Sequence, residues 1–230
     1  NETWASFAPG LKTLEDAHTV RGRILEAFEQ AEYVRVWGEV EEVRPWLTFV
    51  VVGGGATGVE ISGAIKQLAV DRLAPEFKDL DVAGCRVVLV EGGDRLLPAM
   101  SAKSSAAATR TLKSYGIEIH LNTRVVDVSC EGVTITHGDT KEFVPAKTVV
   151  WGAGVTGNAL GARLAEAIGV ETDKGGRLKV AGNLTVGDRN DVRVIGDLAR
   201  VETNDVGGMV PGIAQGAIQM GSYAGKAIAA

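Results

Sequence analysis

Apolar residues recur every three or four positions across residues 14–33 (Leu14, Ala17, Val20, Ile24, Leu25, Phe28 and Ala31), the rhythm of an amphipathic helix. Thr13 is a candidate N-cap for it, with Asp16 three positions on. Residues 34–46 lose the rhythm and run to Pro45, which predicts an irregular stretch. Leu47 to Val52 is almost wholly apolar over a strand's length, the pattern of a strand covered on both faces. Gly53 to Gly58 is a glycine turn, and Val59 to about Leu73 returns to helical spacing. Cys85–Val90 predicts a second buried strand, Ser101–Tyr115 an alanine-rich helix stopped by Gly116, and Ile117–Leu121 a third strand.

The pattern then changes. Arg124–Ser129, Gly132–His137, Lys141–Val144 and Thr148–Trp151 are short alternating segments separated by glycine and charged turns, which predicts a small antiparallel meander. A helix over about Asn158–Ile168, a turn-rich stretch over 169–190 and a strand at Val192–Ile195 follow. The last predicted element is a small-residue helix, Pro211–Ala230, with proline at its start. Strand, glycine turn, helix and strand in that order predict an α/β fold. The expected architecture is a doubly wound parallel-sheet (Rossmann-like) domain with the meander inserted.

Length allows one large domain or two small ones. Lys and Arg number 24 against 29 Asp and Glu, a net charge of −5, which argues against a nucleic-acid partner. No apolar run reaches the ~18–20 residues of a membrane span. Cys85 and Cys130 form neither a CxxC nor a metal spacing. Glycine is in excess, 30 of 230 residues, or about 13% against a usual ~7%. The chain opens on Asn1 and closes on Ala230 with a helical pattern still running, which reads as a piece of a longer protein.

The glycines carry the candidate chemistry. GxGxxG falls at Gly53, Gly55 and Gly58, directly after a buried strand and opening a helix. In that context Gly53 allows the tight turn, Gly55 lets the backbone approach a pyrophosphate, and Gly58 lets the helix pack against the strand. The helix N-terminus adds unpaired N–H groups and the positive end of a dipole. Glu91 ends the next strand, where a carboxylate accepts from adenosine ribose hydroxyls and disfavours a 2′-phosphate, so NADH is expected over NADPH. It lies 33 positions after Gly58, beyond the usual ~20, and the Pro75–Gly84 insert accounts for part of the excess. Arg95 is near enough in sequence to blur that preference. Glu60, in the expected first helical turn, reads equally as a charge–dipole contact or as a carboxylate at the cofactor's reactive end.

Several motifs together closely resemble the type II NADH:quinone oxidoreductases, the single-subunit, non-proton-pumping respiratory flavoproteins. They are Phe7-Ala8-Pro9-Gly10-Leu11-Lys12, Leu14-Glu15-Asp16-Ala17, Gly53-Gly54-Gly55-Ala56-Thr57-Gly58-Val59-Glu60, Val149-Val150-Trp151-Gly152-Ala153-Gly154-Val155, Val194-Ile195-Gly196-Asp197-Leu198-Ala199, and residues 211–221 around Ala214-Gln215. The resemblance covers essentially the whole chain. It implies FAD and NAD as cofactors, with a hydride passing from NADH to the flavin and two electrons onward to a quinone. It implies that Asp197 bonds the ribityl chain of FAD, as a buried acid in need of a partner. It implies that Ala214 and Gln215 start a helix beneath the isoalloxazine, with Gln215 facing the quinone. Ala153 and Gly154 would be the small-residue turn where nicotinamide and flavin meet, and Glu60 would stand near that contact.

The family's first GxGxxG, for FAD, and its C-terminal membrane-anchoring helices have no counterpart here. The resemblance therefore divides the chain into a connecting helix and linker (1–45), an NADH-binding domain (46–155) and the returning part of an FAD-binding domain (156–230). Such a piece is expected to be soluble and to hold FAD weakly. The full-length protein is expected to be peripheral on the cytoplasmic face of the membrane, and the resemblance allows a homodimer. Two other readings share the glycine motif: a soluble disulfide, ferredoxin or rubredoxin reductase, and an NADH sensor akin to apoptosis-inducing factors. No metal is expected. His18, His120 and His137 match no ligand or triad spacing, Trp151 reads as packing, and Lys226 as a solvated charge.

Overall fold

A computed structural model describes residues 2–154, 157–202 and 209–229, and divides the chain into two compact units, Asn1–Ala153 and Gly154–Ala230. The expected boundary at 155/156, and Val155 of the fourth motif, lie outside the described residues.

The first unit opens with a short helix α1 (Glu2–Ala5) and the long helix α2 (Leu14–Trp37). The Thr13 hydroxyl accepts from the Asp16 N–H at 3.1 Å, and the Asp16 carboxylate accepts from the Thr13 N–H at 2.8 Å, so the capping box is formed. Only part of the expected apolar face is covered. Val20, Ile24, Phe28 and Ala31 are buried, while Leu14, Ala17 and Leu25 are exposed. Residues 34–46 are not irregular as expected: α2 runs on to Trp37, and a second helix α3 (Val40–Trp46) follows. Polar residues mask the period there, and Glu42 caps the new helix by accepting from the Glu39 N–H at 3.3 Å.

Next come β1 (Thr48–Val52), α4 (Ala56–Leu68) continued as a π-turn over Ala69–Leu73, β2 (Arg86–Val90), α5 (Ala102–Ser114) and β3 (Glu118–His120). The chain then makes β4 (Thr123–Ser129), β5 (Gly132–His137), β6 (Thr140–Pro145) and β7 (Thr148–Trp151). β4, β5 and β6 form the expected antiparallel meander, with a bulge between Val125 and Asp127. Thr148–Trp151 does not belong to it. This strand pairs parallel with β1, completing a four-stranded sheet in the order β3-β2-β1-β7. Its short apolar sequence fits either sheet, and the pairing partner decides.

Burial on both faces explains the unbroken apolar runs. Phe49, Val51, Val87 and Leu89 join Phe28 of α2, Ile65 of α4 and Leu112 of α5 in one core. Val50, Val52, Val88 and Val90 join Val128, Val133, Ile135 and Val144 of the meander in another. Trp151 packs on Trp4, with ring centroids 5.9 Å apart.

The second unit holds α6 (Ala159–Ile168), short strands β8 (Leu178–Lys179) and β9 (Thr185–Val186), β10 (Arg189–Arg193), a 3-10 turn at Gly196–Leu198, β11 (Ala199–Arg200) and α7 (Ala214–Ala229). The expected strand at Val192–Ile195 is displaced. The paired residues are Arg189–Arg193, because ladder pairing to β9 outweighs the apolar run. Nor does Pro211 start the last helix. It lies three residues ahead, in a turn where the Ile213 N–H donates to the Pro211 carbonyl at 2.9 Å. No helix among the described residues is long and apolar enough to cross a membrane.

Candidate nucleotide-binding site

β1 ends at Val52, and the chain must turn sharply to start α4 at Ala56. The turn is stitched on three sides. Gly53 N–H donates to the Val90 carbonyl at 2.8 Å, Leu97 N–H to the Gly54 carbonyl at 2.7 Å, and Gly152 N–H to the Val52 carbonyl at 2.8 Å. Gly53 has φ +108°, and a Cβ on it would lie 2.7 Å from the Ala153 nitrogen. A Cβ on Gly54 would lie 2.7 Å from Leu96 and 2.9 Å from Glu91. One on Gly58 would overlap the Gly53 carbonyl oxygen. Gly55 alone of these faces open space: a Cβ there would have nothing within 4 Å. Three glycines thus close the turn on protein, and one leaves the backbone open.

The first intrahelical bond of α4 runs from the Val59 N–H to the Gly55 carbonyl at 3.0 Å. The N–H groups before it point out of the helix start, as at every helix N-terminus. The first turn contains no acidic residue. α4 begins three residues earlier than expected, because Gly58 lets it pack directly on Gly53. Glu60 therefore stands in the second turn, not the first, which removes the close charge–dipole contact considered for it. It is exposed and makes no hydrogen bond or ion pair among the described residues. Ala56 and Thr57 are half-buried in the first turn.

Glu91 follows the last residue of β2, and its carboxylate faces the glycine turn. One oxygen accepts from the Gly54 N–H at 2.5 Å and the other from the Gly93 N–H at 2.6 Å. This acid therefore ties the turn after β1 to the turn after β2, a role its place in the sequence does not reveal. Each oxygen keeps lone-pair capacity for a further donor. Arg95 is held back, its guanidinium donating to the Pro98 carbonyl at 2.7 Å. Ala153 packs on Gly53, and Gly154, at φ +70°, is exposed. Sequence reasoning missed Gly152, where a Cβ would stand 3.3 Å from the Val52 carbonyl and 3.4 Å from Gly58. Its only signal was a glycine ending a buried strand.

In the second unit Asp197 lies in the 3-10 turn after Gly196, whose φ is +68°. It is exposed, which corrects the expectation of a buried acid in need of a partner. The turn abuts α7: Gly196 N–H contacts the Met220 sulfur at 3.2 Å. A Cβ on Gly212 would lie 3.2 Å from the Asp197 carboxylate. Ala214 and Gln215 open α7 and are both exposed. Among the described residues no cluster of His, Cys, Asp and Glu could hold a metal ion.

The profile of one family, pyridine nucleotide-disulphide oxidoreductase, matches residues 7–221. The type II NADH:quinone oxidoreductase Ndh of Mycobacterium tuberculosis is 42% identical over 231 residues, which is 100% of this chain and 48% of that protein. NdhA of the same organism, of the same description, is 43% identical over 226 residues, 97% of this chain and 46% of that protein. The chain thus spans about half the length of these relatives. The structure of NDH2 from Plasmodium falciparum in complex with NADH matches with a TM-score of 0.71 at 24% identity, covering 86% of this chain and 41% of that one, a likeness of fold.

Proposed function

This chain belongs to the pyridine nucleotide-disulphide oxidoreductase family, and from that premise we propose that it supplies the NADH-binding part of an FAD-dependent NADH:quinone oxidoreductase. The observation that carries the reading is the contrast within one turn: a side chain at Gly53, Gly54 or Gly58 would strike protein, and one at Gly55 would strike nothing. That opening lies at the start of a 13-residue helix with no acid in its first turn, a ready anion site.

In this reading the backbone at Gly55, Ala56 and Thr57 binds the dinucleotide pyrophosphate, with Gly53, Gly54 and Gly58 shaping the turn. Glu91 accepts from the adenosine ribose hydroxyls with the capacity left by its two backbone bonds. Ala153 and Gly154 keep the nicotinamide end free of side chains, and Glu60 stands one helical turn beyond the cradle as a carboxylate toward the reacting ring. In the second unit, Asp197 would take a flavin's ribityl chain and the start of α7 at Ala214 its ring edge, a reading supported by the exposed acid against Gly212 and by the exposure of Ala214. Gln215 offers its amide to a quinone oxygen. FAD, when bound, supplies the hydride acceptor and the two-electron relay. Membrane-peripheral placement on the cytoplasmic face, and a homodimer, extend the same proposal. The similarity to named NADH:quinone oxidoreductases supports the choice of acceptor over disulfide or ferredoxin substrates.

The test is NADH-dependent reduction of menadione by the natural gene product bearing this sequence, with FAD supplied. Saturable turnover with NADH supports the reading. NADH binding with no quinone turnover, or turnover only with a disulfide, overturns the oxidoreductase assignment in favour of the sensor or the soluble reductase.

A further inference from the structure

The glycine turn and Glu91 account for the pyrophosphate and the ribose, but not for what meets the ribose 2′ position. Arg95, the cation nearest to Glu91 in sequence, is occupied with Pro98. A different arginine is brought to the same place by tertiary structure. The segment after β3 is laced to the turn after β2: Thr123 N–H donates to the Glu91 carbonyl at 3.0 Å, and Asn122 N–H to the Gly93 carbonyl at 2.8 Å. Asn122 takes φ +51° to make this possible. The lacing sets Arg124, the second residue of β4, beside that turn, with its Cγ 3.9 Å from where a Cβ on Gly92 would be. Arg124 is exposed, and its guanidinium makes no hydrogen bond or ion pair among the described residues.

From this juxtaposition we infer that Arg124 is the residue that sets the chain's tolerance for a 2′-phosphate, and so its NADH-to-NADPH preference. The inference rests on the nucleotide reading above. Gly92 leaves the Arg124 stem in ordinary contact distance of the turn's backbone. Glu91 repels a 2′-phosphate, but each of its oxygens already accepts a backbone N–H bond, one from Gly54 and one from Gly93, which offsets part of its charge. The Arg124 guanidinium, carried on an exposed stem whose Cγ lies against Gly92, can pair two of its N–H groups with phosphate oxygens. Asp94, exposed in the same turn, opposes it only as a solvated charge. The result is an enzyme that prefers NADH without fully excluding NADPH.

The experiment measures dissociation constants for NADH and NADPH on the natural gene product and on its R124A, R124K and R95A variants, with circular dichroism to confirm folding. R124A is expected to weaken NADPH by about 10-fold, ~1.4 kcal/mol, while NADH weakens by less than about 3-fold. R124K should recover part of the NADPH affinity, because a point charge lacks the fork. R95A should leave the ratio of the two constants within about 2-fold. If NADH saturates the wild type normally but R124A moves both constants equally or neither, or R95A moves the ratio instead, the role assigned to Arg124 is wrong and the nucleotide site stands. If the wild type takes up neither nucleotide, the nucleotide reading itself fails.

Discussion

Gly55→Ala separates a ligand cradle from an ordinary glycine turn. Gly55 has φ −72° and ψ −176°, a conformation alanine adopts freely, and its Cβ would meet nothing within 4 Å. A small loss at a helix N-cap and a comparable gain from a stiffer unfolded chain leave the expected stability change within about 1 kcal/mol. The same methyl would occupy the space through which a pyrophosphate must approach the backbone. Loss of that approach should weaken NADH by about 10- to 100-fold, roughly 1.4–2.8 kcal/mol. Gly58→Ala is the control. Its methyl overlaps the Gly53 carbonyl, so helix and strand must part, at a cost of about 3 kcal/mol in folding stability. The assay pairs thermal unfolding with NADH titration followed by nicotinamide fluorescence. The expected signature is a wild-type melting temperature with lost binding for Gly55→Ala, and both lost for Gly58→Ala. Undiminished NADH affinity in a folded Gly55→Ala protein would refute the cradle.

Three further outcomes follow from the structure. Glu91→Gln must turn a donor toward either Gly54 or Gly93, so one backbone N–H loses its acceptor, and stability should fall by about 1–3 kcal/mol as well as NADH affinity; chemical denaturation with an unchanged midpoint would leave Glu91 a ribose contact alone. Burial pushes the Asp173 carboxyl up, but the Arg177 side chain and the N–H groups of Arg177 and Gly175 outweigh it and hold the group below its usual 3.8. Its contribution is therefore present above about pH 4 and lost as pH falls through the lowered value, so Asp173→Ala should cost about 1–3 kcal/mol at pH 7 and progressively less in acid; a pH-independent difference would count against this. Cys130 is exposed and Cys85 is buried with its thiol pushed up by burial, so a thiol reagent should modify Cys130 at once and Cys85 only on unfolding, as peptide mass mapping would read; fast labelling of Cys85 would show it to be accessible.

The sequence by itself determined the elements whose local and global demands agree. The runs Phe49–Val52 and Val87–Val90, bounded by turn residues, read as strands covered on both faces, and the Thr13–Asp16 box as a helix start, because run length and capping are readable within a few residues. The glycine spacing likewise announced a tight turn from strand to helix. What tertiary structure alone decided was partnership. Thr148–Trp151 looks like a fourth meander strand until its hydrogen bonds go to β1, and Val192–Ile195 yields to a ladder that begins three residues earlier, at Arg189. Asp197 reads as buried and lies exposed. Glu91 reads as a free strand-end acid, yet is a bridge between two turns, and Arg124, 33 positions away, is set beside the turn that follows it. Such contacts join segments far apart in the chain. Their energy depends on which backbone donors the fold leaves within reach, and no local pattern of residues encodes that distance.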